Sequence, residues 1–282
     1  RRRLVRVITG VALFSVAVAG VVSLAAVQTI GEIEASLPPL PAASAIPTST
    51  VVVDRGGRLL RPFTIADGRW RLPVAKADVD RRYLDMLVAY EDRHFAEHHG
   101  VDARALIRAA AQFVLAGGHI VSGGSTLTMQ VARLIDDTGT RSIAGKLRQI
   151  AIARKLESQF GKDEILRLYL TLAPYGGNIE GVRAASLAYF GKEPGRLTTG
   201  EAALLVALPQ SPEARRPDRD ADAARAARDR VLDRLAAAGA IDADAADAAR
   251  TERVPGARRP FPMLAAHLGQ QAVSAHPELA VH

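Results

Sequence analysis

The chain has 282 residues, 48% of them hydrophobic, enough to bury one sizeable core and too apolar for a disordered polypeptide. Its net charge of +7 favours an anionic partner, and the absence of cysteine excludes a disulfide framework and a thiolate zinc site. With 5% aromatic residues and no recognised nucleic-acid motif, nucleic acid is not the expected partner.

Taken in order, Arg1, Arg2 and Arg3 precede an uncharged run from Val7 to Ile30. As a helix it would extend roughly 36 Å, enough to cross a bilayer. Residues 1–34 therefore predict a cytoplasmic stub and a single transmembrane helix, with everything after it on the outer side by the positive-inside rule. A cleaved signal peptide is the rival reading, disfavoured by the length of the run and by the distance to Ala43-Ser44-Ala45. Residues 35–50, rich in Pro, Ala and Ser, predict a stiff linker. Thr50 to Val53, the turn Asp54 to Arg58 and Leu59-Leu60 predict a hairpin, with Trp70 to Val74 a further short strand.

From Asp78 the pattern turns helical. Val79, Tyr83, Leu87 and Tyr90 recur at helical spacing and place Glu91 at the helix end. Asp102 caps a second helix bearing Leu106, Ile107 and Phe113, which Gly117-Gly118-His119 ends. Ser122 to Ser125 is a loop before a third helix starting near Thr126. Arg141 to Gln159 and Lys162 to Leu172 read as helices, Pro174 to Asn178 as a break, then Asn178 to Phe190 and Thr199 to Leu208 as helices again. Glu213 to Arg250 reads as an Ala/Arg/Asp-rich helix broken near Gly239. One main domain over 51–253 is expected, followed over 254–282 by a loop-like linker toward a C-terminal domain absent from this chain.

Three constellations carry chemistry. Glu91 ends an amphipathic helix beside Leu87 and Val88, which desolvates a carboxylate and suits a general base or acid; the plain alternative is a helix-end carboxylate paired with Arg93. His94, Glu97 and His98 spell H-x-x-E-H, the inverted zincin pattern, against a structural His98. Gly123-Gly124-Ser125-Thr126, followed by Thr128 and Gln130, places N–H groups and hydroxyls at a helix start, suited to phosphate or simply to capping. Arg133, Lys146, Arg148 and Arg154 supply cations on the following helices.

In combination these stretches are more specific. E-D-R-H-F-A-E-H-H-G-V-D, G-G-S-T-L-T-M-Q, K-L-R-Q-I leading to F-G-K-D-E-I-L-R-L-Y-L, Y-G-G-N-I-E-G-V-R-A-A-S-L-A-Y-F-G-K and E-A-A-L-L-V-A-L-P-Q-S-P resemble, in order, the motifs of glycosyltransferase family 51. These are the peptidoglycan glycosyltransferases of bifunctional penicillin-binding proteins and monofunctional transglycosylases. D-R-G-G-R-L-L-R and A-P-Y-G-G-N-I-E-G-V resemble the 1C-type branch most. The likeness covers roughly Val51 to Leu235.

The resemblance implies a mainly α, lysozyme-like glycosyltransferase domain with a small β element and an N-terminal transmembrane helix. It implies polymerisation of lipid II into a growing glycan chain on the outer face of the bacterial cytoplasmic membrane, with inversion and release of undecaprenyl pyrophosphate. Glu91 is then the base, while Asp92, Phe95 and His98 shape the first motif. Ser125, Thr126, Gln130, Arg133 and Lys146 fall on positions for the donor's sugar and pyrophosphate. Assistance from Mg²⁺ and company with other cell-wall synthesis proteins are further expectations. Gln149 stands where most members carry a second glutamate, and Arg133 replaces the common Lys. A catalytically weak lipid II-binding scaffold and a zinc peptidase at His94-Glu97-His98 are the alternatives. No Ser-x-x-Lys motif occurs, so covalent penicillin binding is not expected.

Overall fold

The structure, a computed structural model, describes residues 23–115, 124–136, 142–264 and 266–275 together with residues 17, 20, 21 and 117. Among these the protein is mainly helical, with four short strands. About half of the run expected to cross a membrane, including all of residues 7–16, lies outside the described residues. Residues 23–36 form helix α1, whose Val27 is 60% exposed, and no helix among the described residues is long and apolar enough to span a bilayer.

Strands β1 (Val51–Val53) and β2 (Leu59–Pro62) pair antiparallel, with Val51 opposite Pro62 and an irregularity between Val52 and Val53. The turn between them is held by Asp54, whose Oδ1 accepts from the N–H groups of Gly56 and Arg58, each at 2.9 Å. Strand β3 (Trp70–Arg71) pairs in parallel with β4 (Ile179–Glu180). That second strand lies inside the stretch expected to be helical from Asn178. Gly176, Gly177 and Gly181 all take positive φ there, breaking the helix until α7 begins at Val182. Glu180 fastens the small sheet by accepting from Arg71 Nε at 2.7 Å.

The helical body comprises α2 (Arg81–Glu91), α3 (Ala103–Leu115), α4 (Leu127–Ile135), α5 (Ile143–Gln159), α6 (Lys162–Leu172), α7 (Val182–Phe190) and α8 (Thr199–Ala207). Helices α9 (Ala221–Ala237), α10 (Ala243–Thr251) and α11 (Ala266–Ala275) complete it. Helix α8 is the hub: every residue from Ala202 to Ala207 is buried, and it packs on α2, α9 and α10. A helix apolar all round can only be stable when enclosed. Its start is fixed by a capping box between Thr198 and Glu201.

The long helix expected from Glu213 instead begins at Ala221. Pro217 lacks an amide donor and interrupts any helix through it, and Asp220 then caps α9 by accepting from Ala223 N at 2.8 Å. The two stretches read as linkers lie against the domain. Ala43 N donates to Glu164 Oε1 at 2.8 Å, and Arg259 N and Leu264 N donate to Ala188 O and Leu60 O at 2.7 and 2.9 Å. Phe261 stacks on Trp70 with ring centroids 4.6 Å apart. The tail beyond Pro255, expected to stay loop-like, contains α11.

Candidate active site

Helix α2 delivers Glu91. Asp80 caps its start by accepting from Arg82 N at 2.9 Å, and Tyr83, Met86 and Leu87 bury one face. At the far end the half-buried Glu91 carboxylate accepts from two amides: Gln130 Nε2 on Oε2 and Gln210 Nε2 on Oε1, both at 2.8 Å. Burial pushes its pKa up, against the pull of Gln210, Gln130, Arg234 and Arg215. It opens into a cavity of about 280 Å³, also lined by His94, Asp102, Ser125 and Arg234.

Asp92, the next residue, turns inward and is buried. Its Oδ2 accepts from Leu127 N at 2.9 Å and from His98 Nε2 at 2.8 Å, so one carboxylate ties the end of α2 to the start of α4. Thr126 completes that start: its hydroxyl accepts from Met129 N at 3.1 Å and donates to Gly100 O at 2.6 Å. Gly100 has φ of +86°, and a Cβ there would sit 2.6 Å from Ala153 O on α5. The backbone passes α5 too closely for any side chain. Phe95 is buried edge-on to His98, with Lys162 Nζ 4.6 Å from its ring centroid.

The inverted zincin pattern does not assemble. It needs both imidazoles on one helix face, but residues 93–97 form turns. His94 Nδ1 faces Asp102 Oδ2 at 3.1 Å, while His98 faces Asp92. Among the described residues no group of three or more His, Asp or Glu is placed to hold a metal ion.

At the start of α4, Lys146 Nζ of α5 donates to Ser125 Oγ at 2.8 Å and to Gln149 Oε1 at 3.0 Å. Burial and the neighbouring Arg133 lower the Lys146 pKa. Gln130 and exposed Arg133 lie one turn apart on α4, so this one helix links the carboxylate to the cations. Gln149 is buried and its Nε2 donates to Met129 O at 2.6 Å. The structure thus joins Glu91 to Gln130, and Ser125 to Lys146 and Gln149; Thr126, Asp92, Phe95 and His98 brace the loops beneath. Gly123 and Ser122 lie outside the described residues.

Three further residues reach Glu91 that the sequence reading did not single out. Gln210 ends the short 3₁₀ turn Leu208–Gln210, Arg215 Nη1 donates to Gln210 Oε1 at 3.0 Å, and Arg234 of α9 sits over the Tyr90 ring at 4.7 Å. Gln210 belongs to the A-L-P-Q-S-P motif, but 119 positions separate it from Glu91, and no local spacing reveals such a contact.

Residues 57–236 match the family model of the transglycosylases. The chain is 47% identical over 227 residues to penicillin-binding protein 1C of Escherichia coli, covering 80% of this chain and 29% of that protein. It is 38% identical to penicillin-binding protein 1A of Pseudomonas aeruginosa over 65% of this chain and 22% of that one. The crystal structure of penicillin-binding protein 1A from Haemophilus influenzae aligns with a TM-score of 0.42 and 20% identity over 84% of this chain and 25% of that one. The chain spans less than a third of the curated relatives it matches. It belongs to the transglycosylase family, the peptidoglycan glycosyltransferases of glycosyltransferase family 51.

Proposed function

We propose that the chain polymerises lipid II, with Glu91 as general base. The observation that carries this reading is the Glu91 carboxylate, desolvated, held at both oxygens by amides and open to a cavity shared with Ser125. Glu91 takes the proton of the acceptor 4-hydroxyl as that oxygen bonds to the donor's anomeric carbon. The bond from that carbon to the undecaprenyl pyrophosphate breaks on the opposite face, and the configuration inverts. Lys146 and Arg133 supply positive charge for the departing pyrophosphate; neither meets a carboxylate among the described residues.

Among the described residues no group of three or more His, Asp or Glu is placed to hold a metal ion; a Mg²⁺ that assists would keep most of its waters and take the donor's pyrophosphate oxygens, a setting that needs no protein cage. A membrane surface is the setting we infer. Its support is an exposed apolar stripe on α3, with Ile107 71% and Leu115 86% exposed, flanked by Arg104 and Arg108, and Ile143 83% exposed at the start of α5.

Polymerisation of labelled lipid II in detergent is the test. The wild type is expected to give glycan chains and Glu91→Gln to lose at least a hundredfold in rate, in keeping with about 10²–10⁴ for a general base. Binding of lipid II by the wild type without polymer would instead leave a scaffold.

A further inference from the structure

Arginine carries only donors, and this decides the orientation of Gln210. Both hydrogens of Arg215 Nη1 are used: one goes to Ala207 O at the C-terminal end of α8 at 2.7 Å, the other to Gln210 Oε1 at 3.0 Å. Facing an arginine, Gln210 must turn its oxygen inward and its NH₂ toward Glu91, where it donates at 2.8 Å. The anchor is rigid because Ala207 terminates the buried hub helix. The opposite amide orientation would set an oxygen against a carboxylate and an NH₂ against a guanidinium.

We propose that Gln210, locked by Arg215, is a positioning residue that keeps Glu91 in its proton-accepting form and fixes the direction of its Oε1. The assignment rests on the reading of Glu91 as the base. An NH₂ facing Oε1 favours the ionised carboxylate, since a protonated oxygen would place hydrogen against hydrogen.

Other charged and titratable groups face Glu91 as well. Arg234 of α9 favours its ionised form, as Arg215 does by charge alone. The hydroxyls of Tyr83 on α2 and Tyr169 on α6 lie behind it, both kept neutral by burial. His94 and Asp102, in contact with each other at 3.1 Å, line the cavity together with Arg93 and Arg108. None of these touches Oε1, so Gln210 is the contact whose loss is read at that oxygen.

Gln210 is exposed, and its replacement leaves the core intact. The experiment is the pH profile of lipid II polymerisation for wild type, Gln210→Ala, Gln210→Glu and Arg215→Met, alongside a ¹³C titration of the Glu91 carboxyl without substrate, assigned with Glu91→Gln. The acid limb of kcat/KM is expected to move to higher pH in Gln210→Ala, with the rate on that limb falling about tenfold for each unit moved. Gln210→Glu is expected to move it further, because two carboxylates in contact titrate as a pair. Arg215→Met should move it in the same direction by less. An acid limb and a ¹³C titration unchanged in Gln210→Ala would overturn the assignment. A wild type that makes no polymer would overturn the proposed function, while the ¹³C titration would still decide the role of Gln210.

Discussion

Lys146 and Gln149 meet across 3.0 Å, ammonium against amide oxygen, at the position where the family resemblance leads one to expect a carboxylate. The amide's other end explains why a neutral residue suits this chain: Nε2 donates to Met129 O at 2.6 Å in the buried seam between α4 and α5. Gln149 therefore holds Lys146 toward Ser125 without neutralising it. Replacement by Glu would set a carboxylate oxygen against that buried carbonyl. Gln149→Glu is expected to lower stability by about 1–3 kcal/mol, the usual cost of an unsatisfied buried group. Denaturant unfolding of the two proteins checks it, and an unchanged midpoint would show that the seam tolerates a charge.

Glu91 is expected to reduce stability at neutral pH. Burial raises its folded pKa above the unfolded value, so the folded state holds the proton more tightly. The stabilising contribution is present below the unfolded pKa and is lost as pH rises through the folded one. Glu91→Gln sets an NH₂ against the NH₂ of Gln130 or Gln210 at a cost that does not depend on pH, so relative to wild type it should be more stable at pH 7 than at pH 4. Melting temperatures across that range decide the matter; a variant less stable at pH 7 than at pH 4, relative to wild type, contradicts the sign.

How far the site could be read in advance follows from the range of each interaction. The end of α2 was legible because Tyr83, Leu87 and Tyr90 repeat at helical spacing, and the start of α4 because Thr126 is a good cap. Gln130 and Lys146 stood out as a polar group near a helix start and a cation on the next helix, and family likeness assigned them to the donor's sugar and pyrophosphate. The linear pattern did not show that Lys146 reaches back 21 positions to Ser125, or that Gln210 and Arg234 close on Glu91 from the 3₁₀ turn after α8 and from α9. The first exists only once α5 packs on α4, the others only after the buried hub helix has brought α2 and α9 together. Likewise β4 escaped notice because a two-residue strand has no periodicity, and its existence depends on Gly176, Gly177 and Gly181 and on pairing with β3, more than a hundred positions away in sequence.

Behind the site, Tyr83 and Tyr175 share one hydrogen bond of 2.9 Å between fully buried hydroxyls. Tyr83→Phe or Tyr175→Phe alone strands the partner's hydroxyl, at about 1–3 kcal/mol. The double variant removes both groups, so its cost should fall below the sum of the singles by about 1 kcal/mol. A double-mutant cycle in urea tests this; strict additivity would mean that the two hydroxyls are satisfied independently.

Asp92 offers a test that reads one proton. Its carboxylate accepts from Leu127 N at 2.9 Å and from His98 Nε2 at 2.8 Å, so His98 must carry its proton on Nε2 when neutral. His98 Nδ1 is buried without a hydrogen bond and lies 3.9 Å from Glu157 Oε1. Asp92 Oδ1 also lies 3.0 Å from His98 Nε2. In Asp92→Asn an amide oxygen in the place of Oδ2 keeps both the Leu127 N–H and the His98 Nε2–H, and only the longer Oδ1 contact gives way to the NH₂. Asp92→Ala abandons both donors. Asp92→Asn is therefore expected to cost about 1 kcal/mol and Asp92→Ala about 2–3 kcal/mol. The ¹⁵N shifts of the His98 ring should show the Nε2–H tautomer in wild type and in Asp92→Asn, and a changed pattern in Asp92→Ala. Equal losses in the two variants, with the His98 ring unchanged in Asp92→Ala, would mean that Asp92 acts only as the cap of α4 and not as the residue that sets His98.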